Sequence, residues 1–72
     1  MTDKQNMQME ENRKQKIVAL MKEPSYVPMK EKELACLMQV EPEDRAELKR
    51  LLQELLLEGK IQVNRRGRYS VP

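Results

Sequence analysis

Arg65, Arg66 and Arg68, with Lys60 shortly before them, are the residues of this 72-residue chain best suited to do chemistry. Three guanidinium groups around a glycine supply charge and forked hydrogen bonding that match phosphate oxygens. A solvated turn that uses charge to keep a sheet edge from pairing would have the same composition. Other reactive groupings are sparse. Histidine is absent and Cys36 is the single cysteine, so no general base is paired with the thiol, no internal disulfide can form, and the usual zinc spacings have no counterpart. Cys36 follows Leu34 and precedes Leu37, which suggests a place in or at the edge of a core. Glu41, Glu43 and Asp44 form an acidic cluster, but acids at the start of a helix answer its dipole more often than they bind a metal. No catalytic constellation, metal site or cofactor site is expected in this chain.

Charge distribution sharpens the reading. The net charge is +2, from 14 basic and 12 acidic residues. Residues 41–58 hold three basic and six acidic residues, a net −3, whereas 59–72 hold four basic residues and no acid, a net +4. A compact positive end beside an acidic segment points to a local contact with an anion. The longest apolar run, Ile17 to Met21, is far shorter than the ~20 residues a membrane span needs. With a lone cysteine and no signal peptide ahead of it, a cytoplasmic protein without membrane contact is expected.

The elements that must position these groups follow from periodicity. Residues 1–10 lack an apolar face and read as a disordered or frayed lead-in, leaving 11–72 as the domain. Ile17, Leu20 and Met21 give helical spacing to a first helix from about Glu11 to Lys22, stopped by Pro24. Pro28 keeps the connector out of helical conformation, and Tyr26 with Val27 could add a short edge strand. A second helix places Leu34, Leu37 and Met38 on one side, with Glu31 and Glu33 at its start and Lys30 as a poor cap. A third runs from Pro42, at the first helical position, to about Glu58, and stops at Gly59. Its stripe is Leu48, Leu51, Leu52 and Leu55, so Ala46, Arg50, Gln53 and Leu57 face away.

After Gly59 the period changes to two. Ile61 and Val63 alternate with Gln62 and Asn64, and Tyr69 and Val71 with Arg68 and Ser70. A two-residue turn would force both arginines to positive φ. A three-residue loop with Gly67 in the left-handed position avoids this and pairs Asn64 with Arg68, Val63 with Tyr69, and Ile61 with Val71. All four apolar residues then share one face and the arginines project from the tip. Tyr69 could stack on a base, but its parity favours the core. The expected class is mainly α with a small β-hairpin, three helices plus a wing, in the order of a winged helix-turn-helix domain.

Tyr26, Pro28 and Leu34, then Leu52, Leu55 and Glu58-Gly59-Lys60-Ile61, then Gly67-Arg68-Tyr69 and Val71-Pro72 resemble the N-terminal helix-turn-helix domain of bacterial ribonuclease R. The resemblance covers roughly residues 11–72, and the hairpin ending in Gly-Arg-Tyr is its most specific element. Ser70 departs from a frequent glycine, and Lys30 from a frequent capping Ser or Thr. The resemblance implies an accessory domain at the head of a 3′–5′ exoribonuclease, ending near Pro72, with cold-shock-type barrels and a magnesium-dependent catalytic domain elsewhere in the parent. It implies RNA and the parent's remaining domains as partners, and the mainly electrostatic contact of the basic hairpin implies weak binding without sequence preference. The candidate nucleic-acid contacts are Lys60, Arg65, Arg66 and Arg68, with Arg50 and Gln53 on the outer face of the third helix. That face could equally be a solvated surface. A DNA-binding transcription regulator would want a basic third helix, whereas Glu43, Asp44 and Glu47 crowd its start. A protein-docking module would use Leu57 and Ala46.

Overall fold

The computed structural model describes the backbone of residues 2–72 and the side-chain burial of residues 11–72. Three helices are followed by a two-stranded antiparallel hairpin: α1 Thr2–Lys22, α2 Glu31–Leu37, a 3-10 turn Pro42–Asp44, α3 Arg45–Leu57, β1 Gln62–Val63 and β2 Tyr69–Ser70. The core is aliphatic: Ile17 and Met21 from α1, Leu34 and Ala35 from α2, Leu48, Leu51, Leu52 and Leu55 from α3, and Ile61 ahead of β1. No helix could bury its stripe alone, so α1, α2 and the hairpin all close on α3.

The helical backbone of α1 starts at Thr2, ahead of the Glu11 that apolar spacing marks as its beginning. Lys, Gln, Met and Glu are good helix formers, and extending an existing helix costs far less than starting one. The start of α3 differs in kind. Pro42, Glu43 and Asp44 form a 3-10 turn, in which Asp44 N–H donates to the Glu41 carbonyl at 2.8 Å, and α-helix begins only at Arg45. Its far end matches expectation. Gly59 has φ +75°, with Gly59 N–H bonded to the Leu56 carbonyl and Lys60 N–H to the Leu55 carbonyl, which turns the chain and delivers Ile61 to the core.

On α2 the stripe is rotated from the expected one. Leu34 and Ala35 are buried and Met38 is half-buried, while Leu37 is 52 % exposed and Cys36 is also exposed. At ~100° per residue a stripe centred between Leu34 and Ala35 leaves Cys36 and Leu37 pointing outward, so Cys36 is neither core nor core-edge. Lys30 does cap α2, through its backbone. Its N–H donates to Glu33 Oε1 at 3.0 Å, the one half of a capping box that a lysine at this position can make. The helix ends through Gln39, whose φ of 56° lets Val40 N–H reach the Ala35 carbonyl.

The short edge strand expected at Tyr26 and Val27 lies further along. Met29 bridges Tyr69 in antiparallel sense, with Tyr69 N–H donating to the Met29 carbonyl at 2.9 Å. Tyr26 contributes its side chain instead: its hydroxyl donates to the Tyr69 carbonyl at 2.6 Å. Pro24 and Pro28 lack donors, so the segment pairs only where Pro28 is behind it.

An ion cluster between α1 and α3 joins residues 40 and more positions apart and leaves no local pattern in the sequence. Lys14 is only 7 % exposed, on the same stripe as Ile17 and Met21, and its Nζ lies 2.7 Å from Glu54 Oε1 and 2.9 Å from Glu58 Oε2. Arg13 pairs with Glu47 beside it. The two carboxylates hold the Lys14 ammonium well above its ordinary pKa through hydrogen bonds first and charge second, opposed by burial. Lys14 likewise holds Glu54 and Glu58 below their ordinary value of 4.5. Since the unfolded chain takes up protons at higher pH than these folded carboxylates, the stabilisation is whole above that value and drains as the pH falls through the lower folded ones. The lysine's share is whole below its ordinary value of 10.5 and is lost only as the pH rises towards the raised one. Lys14→Met should therefore lower the melting temperature at neutral pH, leaving Glu54 and Glu58 as like charges one helical turn apart, and flatten the acid limb of melting temperature against pH. A variant that melts like the parent protein and keeps its acid limb would show the cluster to be energetically idle.

Candidate nucleic-acid interface

The basic loop is built by the hairpin register. Val63 pairs with Tyr69 and Gln62 with Ser70, as the period-two pattern and a glycine-containing loop require. Asn64 N–H donates to the Arg68 carbonyl and Gly67 N–H to the Asn64 carbonyl, each at 3.0 Å, and Gly67 takes φ +76°. The space where a Gly67 side chain would sit is empty, so backbone conformation alone asks for glycine there.

Asn64 organises this loop. Its Oδ1 accepts from Arg66 N–H at 2.9 Å and from Arg68 N–H at 3.0 Å, so one side-chain oxygen fixes the backbone of two of the three arginines. The signal was present in the sequence, since asparagine commonly bonds the backbone two residues on. The base of the hairpin is held by buried Ile61 and by half-buried Tyr69 and Val71 packed on the core. Val63 shares their parity but is 42 % exposed, because it lies at the loop end where the core no longer reaches; it is not one of the anchors.

Arg65, Arg66 and Arg68 are exposed and crowd one loop, and no described carboxylate lies within ion-pair distance of them. The other basic candidates are placed differently. Lys60 is at the foot of the hairpin, 3.5 Å from Glu58, and lines a groove of about 560 Å³ with Lys14, Val18, Lys22, Leu55 and Val71. Arg50 and Gln53 are exposed on the outer face of α3, where Arg50 Nη1 lies 2.7 Å from Glu54 Oε2. Glu54 thus takes Arg50 on one oxygen and Lys14 on the other, and offsets much of the charge Arg50 could offer. Glu41, Glu43 and Asp44 are exposed around the turn before α3.

Ala46 is exposed on the outer face of α3, and Leu57 is 89 % exposed at its end. Tyr69 packs inward, as parity requires. Burial and the negative charge of Glu31 push its phenol pKa up, so it is neutral at physiological pH. No helix among the described residues is long and apolar enough to cross a membrane. Among the described residues no three acid or cysteine side chains gather into a metal-sized cluster. Compared with known protein families and with curated proteins, the chain matches none.

Proposed function

We propose that this chain is a winged-helix RNA-binding domain, non-catalytic by itself, that recruits substrate for a cytoplasmic 3′–5′ exoribonuclease resembling ribonuclease R. The observation that carries the reading is the loop Asn64–Arg68: three exposed arginines, none facing a carboxylate, on a hairpin clamped to the core and fixed internally by Asn64. Groups held in place before contact lose less entropy when they bind. The element order, with α2 and α3 joined through a short turn, supports a winged-helix arrangement in which this hairpin is the wing. Magnesium belongs to the parent's catalytic domain in this reading, and no residue of this chain is assigned to it.

The contact is electrostatic and tolerant of sequence, with an affinity in the ~10⁻⁴–10⁻⁶ M range for RNA at physiological salt. The exposed acids before α3 disfavour a sequence-reading insertion of that helix into a duplex groove, and so speak against a DNA-binding regulator. Arg66→Ala is the direct test. Binding to unrelated RNA sequences should weaken by the same factor, and the slope of log affinity against log salt should fall by about one, the signature of one lost phosphate contact. An unchanged slope would remove Arg66 from the interface. A second reading has its own observation: Leu57 and Ala46 stand exposed on one face of α3, where another domain of a parent chain could dock.

A further inference from the structure

We infer that Lys30 belongs to the same RNA-contacting surface as the wing, although the whole of α3 follows it in sequence before the hairpin begins. The inference rests on the reading of the wing as the RNA contact and adds to it a residue on the far side of β2. The Met29–Tyr69 bridge makes the hairpin a three-stranded sheet at one position, with β2 in the middle. Met29 and Tyr69 are both half-buried against the core, so the residues beside them point to solvent. In an antiparallel pair the residue after Met29 stands opposite the residue before Tyr69: Lys30 faces Arg68, with Cα atoms ~5 Å apart. Lys30 keeps extended backbone, φ −79° and ψ 164°, so the alternation holds through it. Arg68 in turn pairs with Asn64, so Lys30, Arg68 and Asn64 form one row across the solvent face.

Two like charges directly opposite across a strand pair destabilise it, and no described carboxylate forms an ion pair with either of these two. Glu33 accepts the Lys30 backbone N–H on Oε1 and lowers the local positive potential without pairing with the ammonium, and Glu31 lies 3.6 Å from Arg45. The Lys30 ammonium can only donate, so it plays no part in accepting the N–H groups of α2. A phosphate placed over the row relieves the repulsion. The surface that results runs from the wing tip across β2 and ends at Lys30, where Glu31 and Glu33 open α2, and its cations are suited to successive phosphates of one RNA strand.

The experiment measures anisotropy of a short fluorescein-labelled RNA hairpin across a potassium chloride series, with the full chain and with Lys30→Ala, Lys30→Arg and Arg66→Ala. Lys30→Ala should bind severalfold more weakly at low salt, with its salt slope reduced by about one. It should melt no lower than the parent protein, because the cap uses only the backbone of this residue and a like-charge contact has been removed. Lys30→Arg should keep the affinity. If Lys30→Ala does lower the melting temperature, Lys30→Gln against Lys30→Arg carries the comparison, and equal affinities overturn the inference. Lys30→Ala binding like the parent protein while Arg66→Ala weakens overturns it too and leaves the wing reading standing. If neither substitution changes binding, or the full chain does not bind this RNA, the wing reading fails and the inference with it.

Discussion

Leu52→Ala is expected to unfold the domain. Leu52 is fully buried at the centre of α3, in a core built only from aliphatic side chains and Met21, with no disulfide beneath it. Truncating a buried leucine costs ~2–5 kcal/mol through lost transfer energy and the cavity left behind. A core of this size rarely supplies more than ~3–5 kcal/mol in total, so the substitution consumes most or all of the stability. Leu57→Ala, five residues further along the same helix, should stay within about 0.5 kcal/mol, since its side chain is 89 % exposed and alanine is at least as good a helix former. Circular dichroism melts of the two variants separate the outcomes. A melting temperature lowered more by Leu57→Ala than by Leu52→Ala would contradict the packing described.

The second large effect falls on binding alone. Replacing Arg65, Arg66 and Arg68 together by alanine should abolish measurable RNA binding and leave the melting curve in place. None of the three side chains packs in the core, and the loop contacts that involve them use backbone atoms, the N–H groups of Arg66 and Arg68 and the Arg68 carbonyl, which alanine retains. Gly67 and Asn64, the residues that fix the loop geometry, are untouched. Starting from ~10⁻⁴–10⁻⁶ M, the loss of three phosphate contacts carries the dissociation constant to ~10⁻³ M or weaker. Full binding by the triple variant would move the interface away from the hairpin loop.

The parts of this structure legible in the sequence are those fixed by short-range periodicity and by backbone constraints. Leu48, Leu51, Leu52 and Leu55 announce the buried side of α3, Gly59 its end, and the two alternating runs around Gly67 the register of the hairpin. Leu37 and Val63 carry a more ambiguous signal. Leu37 follows Leu34 at helical spacing, but the buried stripe is centred between Leu34 and Ala35 and leaves it outside, whereas Val63 keeps the buried parity and extends past the end of the core. Contacts between distant segments left the weakest local trace. Lys14 sits on an apolar stripe, which a lysine alone does not explain, and only Glu54 and Glu58, four residues apart on α3, make it reasonable. The Met29–Tyr69 bridge likewise depends on how the connector crosses the hairpin, which no spacing within residues 24–30 encodes. The arginines of the candidate site were visible as a cluster; the row that joins Arg68 to Lys30 required the fold.

The most direct test of the hairpin loop as the proposed RNA contact is a chemical-shift titration of the isotopically labelled chain with a short structured RNA at low salt. Amide shifts should concentrate on Asn64 to Ser70, fade as salt is added, and leave the buried leucines of α3 in place. Shifts confined to α1 that spare Asn64 to Ser70, or no shifts anywhere, would contradict it.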